Sequence, residues 1–250
     1  MKKIFLSIIA LIFLFSSCTS SNEEEKIVIP KLLIKNIHDD GTSEIETSKY
    51  LYDENNKLIE IDLGDDYLIE IIYDNDKIIR IDQKENSDIY TYEEYDYIGS
   101  NISKYKRYEN NVLVISNEYN YDTNNQIISK KETYPFNSSV SIIYTYEYNS
   151  SNNSVKEISS NNRYTITYYD DKNHPLSGIE YLKPFIRDQA NINFNNPIKI
   201  ENYSNSTLQG SIDFVNEYDI DGYLVKSVAT ENYGQNNNSH TYTDNYIYNK

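Results

Sequence analysis

The sequence predicts an all-β fold, and three observations support this prediction. Apolar and polar residues alternate with a period of two from about residue 46 onward, which is the pattern of half-buried strands. Polar turns rich in Asp and Asn separate the alternating segments. No apolar stripe with helical spacing stands out in residues 18–250. We therefore expect roughly a dozen or more strands in an antiparallel meander of hairpin repeats, curled into an open half-barrel or rolled sheet.

The segment 141–148 illustrates the alternation. One of its faces carries Ile142, Tyr144, Tyr146 and Tyr148, and polar residues such as Thr145 fall on the other. The chain contains 27 Tyr and no Trp. A tyrosine supplies an apolar ring to a core while its hydroxyl reaches water, so tyrosines are expected to provide much of the buried area. The same alternation occurs in residues 67–73, 164–168, 208–218 and 242–248.

The turns between the strands share one form. Tyr52 ends a strand, Asp53 opens a polar turn, and a return strand begins near Leu58. Asp and Asn suit such turns because their side chains bond their own backbone and tolerate positive φ. The unit recurs roughly every 20–27 residues, which indicates an array of repeats. The copies of this unit are residues 52–61, 73–81, 121–128, 148–155, 169–173 and 218–225.

These Tyr-Asp units resemble the YD repeats of Rhs-type proteins. The chain as a whole resembles uncharacterised lipoproteins of Bacteroidetes that are built from such units. The resemblance covers about residues 45–250, although residues 95–108 fit the repeat poorly. It implies a β-repeat domain but no known activity. The chain has too few repeats for the large toxin-encasing cage of Rhs proteins.

The segment 175–197 departs from the repeat. It contains Pro175, Pro184 and Pro197, and its apolar residues do not alternate. Long irregular insertions are often functional, but a plug that hides apolar surface would have the same composition. Because exposed sheet edges need protection, we expect this excursion to cover an open edge or face of the sheet.

The N-terminus has the features of an export signal. Lys2 and Lys3 precede an apolar run over residues 4–15, which is too short to span a membrane as a helix. Ser16 and Ser17 are small residues placed before Cys18, the only cysteine of the chain. The segment resembles the relaxed lipobox of Bacteroidetes lipoproteins. This predicts a signal peptide over 1–17 and lipid on Cys18.

One alternative to this interpretation of the N-terminus stays open. Phe15 departs from the lipobox pattern, in which Leu is usual, and a soluble export signal with an incidental cysteine is the alternative. A single cysteine cannot form an internal disulfide. Several acyl chains on it would hold the protein stably on a membrane, because each buried CH₂ contributes about 0.8 kcal/mol.

Residues 18–44 are interpreted as the lipidated cysteine, an acidic tether and a lead-in to the repeat domain over 45–250. The run 23–25 consists of three Glu. It is either a solvated spacer or, by resemblance, the surface-export signal of Bacteroidetes lipoproteins. The second interpretation predicts attachment to the outer membrane at the cell surface. The formal net charge of −16 argues against nucleic acid as a partner and against a domain lying on anionic lipid.

The sequence contains no recognisable motif for catalysis or metal binding. His38, His174 and His240 lie far apart in sequence and lack zinc-site spacing. The turns 219–222 and 170–173 contain oxygen ligands suitable for calcium, but neither matches an EF-hand loop. Phosphate-binding, dinucleotide-binding and nucleophile-elbow motifs do not occur either. No cofactor, metal or catalytic residue is predicted, and Cys18 is the single residue given a chemical role.

Two functions of different classes follow from this. The first is a non-enzymatic surface lipoprotein, a binding or structural module whose partner is a glycan or a protein. Outward-facing tyrosines would form its contact surface, although cross-strand tyrosine ladders also occur for stability alone. The alternative is a hydrolase of surface polysaccharide or peptide that uses a pair of carboxylates. The absence of a His or Cys constellation favours the non-enzymatic function.

Overall fold

The computed structural model describes residues 31–42, 45–137, 140–151, 153–176, 195–233 and 238–249. In these ranges sixteen strands follow one another, and the one helix is a 3-10 turn, Pro135–Asn137. No helix in this part of the chain is long and apolar enough to cross a membrane. The strands are β1 (Leu33–Asp39), β2 (Ile45–Tyr52), β3 (Leu58–Gly64), β4 (Tyr67–Asp74), β5 (Lys77–Glu85), β6 (Asp88–Ile98), β7 (Asn101–Glu109), β8 (Val112–Tyr121), β9 (Ile127–Thr133), β10 (Ser141–Tyr148), β11 (Ser154–Ser159), β12 (Arg163–Asn173), β13 (Asn195–Ser204), β14 (Thr207–Tyr218), β15 (Leu224–Tyr233) and β16 (Asn238–Tyr248).

The strands close into a barrel. Each strand pairs antiparallel with the next along the chain, and β16 pairs with β1. The predicted all-β antiparallel meander is confirmed, whereas the predicted open half-barrel or rolled sheet is wrong. The reason is β1, which lies within the segment interpreted as lead-in and pairs with β2 on one side and β16 on the other. Full closure removes both sheet edges.

Closure also removes the expected reason for the irregular excursion, because no open edge remains for it to cover. The excursion itself lies mostly outside the described residues. Its two ends are described: β12 ends at Asn173 and β13 begins at Asn195. Both ends lie at the rim of the barrel where the other even-numbered strands also end.

The barrel has two rims that differ in their turns. At the far rim, which carries the turns after odd-numbered strands, four turns have two consecutive residues with positive φ. This is the geometry of type I′ hairpins, whose twist matches that of the strands. Asp, Asn and Ser occupy these positions because short polar side chains tolerate the left-handed region. The four pairs are Asp65-Asp66, Asn86-Ser87, Asn110-Asn111 and Asn205-Ser206.

At the opposite rim, here called the seam rim, the turns follow even-numbered strands. Oδ1 of Asp53 accepts bonds of 2.8 Å from the amides of Asn55 and Lys57. The Asp53 amide in turn donates to the Lys57 carbonyl. This is the local bonding that the sequence pattern predicts. The same arrangement recurs in the turns that begin at Asp122, Asn149 and Asp219.

A ring of tyrosines runs just inside the seam rim. Tyr52, for example, ends β2, and its hydroxyl donates to the carbonyl oxygen of Leu33 at 2.8 Å. Each such bond links a tyrosine in an even-numbered strand to a residue near the start of the odd-numbered strand before it. Tyr218 is an exception, because its hydroxyl bonds Oδ2 of Asp170. The other bonds are Tyr73 to Leu58, Tyr97 to Ile78, Tyr121 to Ile102, Tyr148 to Ile127, Tyr169 to Ser154 and Tyr248 to Leu224.

A β-bulge accompanies every one of these eight tyrosines. Tyr52 pairs with Leu58 and Leu51 pairs with Glu60, so Ile59 is an extra residue in β3. Bulges increase strand twist and curvature, which favours closure of a sheet into a barrel. The extra residues are Ile34, Ile59, Ile79, Ser103, Ile128, Val155, Ile198 and Val225.

The inner face of β2–β9 holds the apolar core. Ile78 and Ile102 are only 1% exposed, and tyrosine rings such as Tyr73 and Tyr97 pack against this core. The core is thus formed by aliphatic residues beside the bulges and by the aromatic side chains of the tyrosines near the seam rim, as the composition predicted. Its buried members are Leu32, Leu58, Ile71, Ile78, Ile81, Tyr95, Ile102, Tyr119 and Ile127.

The two chain ends of the barrel imitate a turn of the seam rim. The Asn249 amide donates to the Leu32 carbonyl at 2.9 Å, and Asn249 Oδ1 accepts from the Leu32 amide at 2.7 Å. Asn249 therefore takes the place of Asp53, and Leu32 that of Lys57. Lys31 adds a clasp across the seam, because its Nζ lies 2.8 Å from Asp219 Oδ2.

Candidate binding pocket and carboxylate cluster

A pocket of about 380 Å³ opens near the far rim, where β12 begins and β13 ends. We call it the Tyr203 pocket. Its lining includes Arg163, Tyr164, Asn202, Tyr203 and Gln209. The hairpin pairing explains why these residues meet: Tyr164 is the direct cross-strand partner of Tyr203. Gln209 is the extra residue of a bulge in β14, opposite Asn202 and Tyr203.

The two tyrosines of the pocket are stacked. Their ring centroids are 4.6 Å apart and the ring planes differ by 10°. On the β11 side, Lys156 Nζ lies 5.2 Å from the centre of the Tyr164 ring. The Tyr203 ring lies on the same side of the wall as Glu201 and Lys199. Because side chains alternate along β12 and β13, Arg163, Thr165, Asn202 and Ser204 extend to the opposite side.

Charged groups beside the pocket are paired with each other. Glu201 accepts hydrogen bonds from Lys199 at 2.8 Å, from the Tyr203 hydroxyl at 3.0 Å and from the Tyr168 hydroxyl at 3.2 Å. The bond from Lys199 lowers the pKa of Glu201. The bond to Glu201 raises the pKa of Tyr203, which keeps its hydroxyl protonated. Tyr203 is thereby fixed by its hydroxyl end, which orients the ring.

A second stacked pair lies on another part of the wall. Tyr92 and Tyr108 are cross-strand partners on β6 and β7, with centroids 4.5 Å apart and planes 13° apart. Arg80 lies 4.0 Å from the Tyr92 ring centre. This pair has the chemistry of Tyr164 and Tyr203 on another part of the wall.

Carboxylates come together on the inner face of β9–β11. Glu132 accepts hydrogen bonds from Tyr134 and Tyr144. Lys130 Nζ lies 3.9 Å from Glu132 Oε2 and 4.4 Å from the centre of the Tyr144 ring. Glu157 hydrogen-bonds Tyr146, its cross-strand partner. These residues form the inner carboxylate cluster.

Glu157 is the perturbed acid of this cluster. Burial raises its pKa, nearby Lys130 and the bond from Tyr146 act in the opposite direction, and the charge of Glu132 adds to the increase. Two interacting carboxylates with one raised pKa are the arrangement that acid–base hydrolysis requires. Each carboxylate here is also bonded to tyrosine hydroxyls, as are Glu93, Glu201 and Glu231 elsewhere in the barrel. Tyrosine–carboxylate bonding is therefore a general structural device of this protein.

The histidines do not form a metal site within the described part of the chain. Nδ1 of His38 lies 3.0 Å from Asp244 Oδ1, and the rings of His38 and His240 both lie near Tyr242. His174 is separate and half-buried, and its loss of hydration lowers its pKa to about 4. No group of three or more His, Cys, Asp or Glu in the described ranges is arranged to hold a metal ion.

The turns considered for calcium are occupied by bonds within the protein. Lys31 Nζ lies 2.8 Å from Asp219 and 2.5 Å from Asp221, so an ammonium group already neutralises this turn. Asp170 accepts bonds from the amides of Lys172 and Asn196 and from the Tyr218 hydroxyl. Both turns are thus explained by the architecture of the rim.

Cys18, the one residue assigned a chemical role from the sequence, lies outside the described residues. Tyr164 was recognised as part of an alternating strand, but Tyr203 was not recognised at all. Its segment, β13, follows the irregular excursion and contains Pro197, which obscures the alternation. An alignment of β12 with β13 that places Tyr164 opposite Tyr203 would have been the signal for the stacked pair.

The fold resembles that of a solved porin-like protein. A porin-like protein from Bacteroides uniformis has a TM-score of 0.59 and 11% identity, and the match covers 88% of this chain and 99% of that one. For a porin-like protein from Bacteroides vulgatus the TM-score is 0.43 with 18% identity, over 88% and 99% of the two chains. TcdB2-TccC3-TEV gives a TM-score of 0.36 and 14% identity over 85% of this chain and 13% of that one.

No protein family matches the sequence, and no curated protein matches it either. At 11% identity, the likeness to the Bacteroides uniformis protein concerns the fold alone. It supports the closed antiparallel barrel and leaves the function to be argued from the residues.

Proposed function

We propose that this chain is a lipoprotein of the outer membrane, anchored by lipid on Cys18 and facing the cell surface. Its barrel stands in water and acts as a non-enzymatic binding module. The N-terminal signal and the single cysteine support the anchor. The outer wall of the barrel carries the argument that the barrel itself is not the membrane-embedded part.

Ion pairs are distributed around this outer wall. Lys49 and Asp62 alternate along their strands with the core-packed Tyr50 and Ile61, so they face outward, and they form a 2.9 Å pair. A lipid-facing barrel needs an outer apolar band about 25 Å tall, and a Lys or Arg at its midplane costs roughly 2–4 kcal/mol. Further outward pairs are Lys84–Glu70, Lys106–Asp96, Lys104–Glu118, Lys156–Glu147, Lys199–Glu201 and Lys226–Glu217.

The bulge residues add only a narrow apolar belt at the seam rim. Ile59 is 38% exposed, whereas the adjacent Leu58 on the inner face is 2% exposed, so Ile59 faces outward. The belt is one residue deep, and charged residues such as Glu60 and Arg80 follow it directly. This is too narrow for a transmembrane band. A lipid anchor supplies the membrane attachment that the wall does not.

Fractionation tests the anchor and protease shaving tests its orientation. The wild-type chain should enter the detergent phase and be cleaved by protease on intact cells, and Cys18→Ala should become water-soluble. Cys18→Ser serves as a second variant with a closer side chain. A Cys18→Ala chain that still partitions with membranes, or a wild-type chain protected on intact cells, would contradict the proposal.

The raised pKa of Glu157 beside Glu132 supports one second candidate, a surface hydrolase. We consider it weaker because tyrosine hydroxyls bond both carboxylates. Incubation with polysaccharides and peptides, followed by detection of new reducing ends or amines, tests it. Activity lost in Glu157→Gln and in Glu132→Gln, but kept in the outward Glu118→Gln, would favour the hydrolase.

A further inference from the structure

We propose that the seam rim of the barrel rests on the lipid surface, with Ile98 and Ile220 inserted between the lipid headgroups. This inference rests on the proposed function, because the lipid on Cys18 must first bring the chain to a membrane. The described chain begins at Lys31 on this same rim. Cys18 precedes Lys31 by thirteen positions, so its lipid would lie within about 45 Å of the rim even if the connection were fully extended.

The two isoleucines are at the tips of seam-rim turns. Ile220 is fully exposed in the turn between β14 and β15, and Ile98 is 77% exposed where β6 turns into β7. The corresponding position to Ile220 is polar in the turns that begin at Asp53 and Asp122, where Glu54 and Thr123 occupy it. Such exposure leaves little of either isoleucine packed on the barrel, so their apolar surface is open to a partner.

The two tips lie on opposite sides of the rim. The turn after β6 and the turn after β14 are eight strands apart in either direction around the closed barrel of sixteen. Two apolar points placed in this way support a ring on a flat surface, whereas two neighbouring points would support one side of it. The apolar belt of bulge residues follows directly behind the tips.

The depth of this apolar rim fits an interface and not a membrane span. Elements that lie in the interface bury their apolar parts about 5–10 Å into the boundary between headgroups and acyl chains. A turn tip followed by a belt one residue deep can fill that depth, but a spanning band would need about 25 Å. The contact therefore complements the lipid anchor and fixes which end of the barrel faces the membrane.

The charges of the rim favour neutral lipid as the partner. On either side of the Ile220 tip, Asp219 and Asp221 accept bonds from Lys31 Nζ at 2.8 Å and 2.5 Å. This ammonium group is used within the rim and is not offered to a lipid phosphate. The net charge of −16 also disfavours anionic headgroups. We therefore expect the contact to form on phosphatidylcholine, through the apolar tips.

Quenching of a fluorescent probe by lipid tests the proposal. When Cys18 carries lipid, an introduced cysteine is the only free thiol. The lipidated chain is placed in phosphatidylcholine vesicles that contain phosphatidylcholine with a nitroxide near the top of its acyl chain. Probes are attached to Ser100→Cys, beside Ile98, and to Val112→Cys, at the far-rim end of the same part of the wall. We expect at least about twofold quenching at position 100 and less than about 1.2-fold at position 112.

Further variants separate the isoleucines from the tether. Adding Ile98→Asn and Ile220→Asn to the Ser100→Cys chain should reduce the quenching at least about twofold, because the apolar tips are lost. Val215→Asn is the matched control, since Val215 is 68% exposed on the outer wall of β14, and it should leave the quenching unchanged. Circular dichroism and melting temperature establish that each variant is folded.

The possible failures are distinguishable. A chain that enters the vesicles but shows no quenching of the seam-rim probe, or equal quenching of both probes, would overturn this inference alone. Quenching that persists in full after both Asn substitutions would show that the tether and not the isoleucines holds the rim, which also overturns it. A chain that does not enter the vesicles would overturn the anchor, and this inference with it.

Discussion

The hydroxyl of Tyr97 donates a 2.8 Å hydrogen bond to the carbonyl oxygen of Ile78, nineteen positions earlier in the chain. The carbonyl belongs to the bulge of the preceding hairpin, where Ile78 is 1% exposed. Ile78 lies beyond Arg80 and Glu94, the last pair between β5 and β6, so the Tyr97 hydroxyl supplies its carbonyl with a donor from β6. The tyrosine bonds and the bulges recur together around the barrel.

Replacing Tyr97 by Phe should therefore destabilise the barrel. The variant keeps the ring in the core but leaves a buried carbonyl without its donor, which costs about 1–3 kcal/mol. Urea unfolding at pH 7 measures the loss. Tyr90→Phe is the control, because the Tyr90 hydroxyl lies 3.4 Å from Gln83 on the exposed surface and should contribute little. Equal losses in the two variants would contradict the structural role of the bond.

Alkaline pH should unfold the protein cooperatively. Burial raises the pKa of Tyr52, Tyr169 and Tyr246 above the ordinary value of 10.0. The folded state keeps these protons when the unfolded state loses them, so stability is intact below about pH 10 and falls as the pH rises beyond it. Tyrosinate absorbance should appear together with the loss of β-sheet circular dichroism. Early, gradual ionisation of most tyrosines in a folded barrel would be the opposite result.

Acidic pH should weaken the barrel through His174. Burial lowers its folded pKa from 6.5 to about 4, so its contribution to stability is present above pH 6.5 and is lost as the pH falls toward 4. His174→Gln should flatten the melting-temperature profile in this window. His240→Gln, a substitution on an exposed part of β16, should leave the profile unchanged. A profile that is the same in His174→Gln and wild type would refute this assignment.

Glu157→Gln should stabilise the protein at neutral pH. Burial raises the pKa of Glu157 above 4.5, so this side chain costs the folded state stability as the pH rises above 4.5 and costs nothing below it. The melting temperature of the variant should exceed that of the wild type at pH 7 and equal it near pH 4. Glu118→Gln on the outer wall is the comparison. A destabilised Glu157→Gln at pH 7 would show that its charged form is required in the folded state.

The bonds between Asn249 and Leu32 match those of the other turns of the seam rim. We therefore expect a circular permutant that joins the two chain ends to fold into the same barrel. Asp53 and Lys57 are separated by three residues, and Asn56 before Lys57 has a positive φ of 62°. Joining Lys250 to Leu32 through one added residue and Lys31→Gly gives the same spacing between Asn249 and Leu32. Placing the new chain ends between Asn124 and Asn125 would open an ordinary turn of the seam rim. The permuted barrel would then again contain one turn that is formed by the two chain ends. Its melting temperature should be close to that of the unpermuted chain.

The junction length provides the control for this permutant. A version without the added residue has one residue too few for the turn and should melt at a lower temperature. Equal stability of the two versions would mean that the bonds between Asn249 and Leu32 do not define the junction. Failure of both to form β-sheet would contradict the equivalence itself.

The sequence allowed the strands and turns to be predicted because their signals are local. The alternation in 67–73 and 141–148 corresponds to β4 and β10, and the Asp53 turn has the bonding its residues suggested. The closure was missed because it depends on β1. Lys35, Asn36 and His38 interrupt the apolar pattern there, so this strand is recognisable only from its pairing with β16.

The bonding of the tyrosine hydroxyls is a second feature that could not be predicted from the sequence. They were expected to reach water, whereas those of the ring, except Tyr218, bond carbonyls 15 to 24 positions away. The register between hairpins decides this, and register is not a local property. Residues 95–108 fit the repeat poorly because Ile98 stands where the other turns have Asp or Asn. Even so, Tyr97 makes the same bond and the same bulge as its counterparts.

The split turn at the seam has a mechanical consequence for an anchored protein. If the chain is anchored as proposed, a pull on its N-terminal tether enters the barrel at Lys31 and runs along β1. Because β1 is hydrogen-bonded to β2 on one side and to β16 on the other, the load is shared by many bonds in shear. Bonds loaded in this way yield together rather than one after another. The clasp of Lys31 on Asp219 and Asp221 protects the first point at which the strand could peel away.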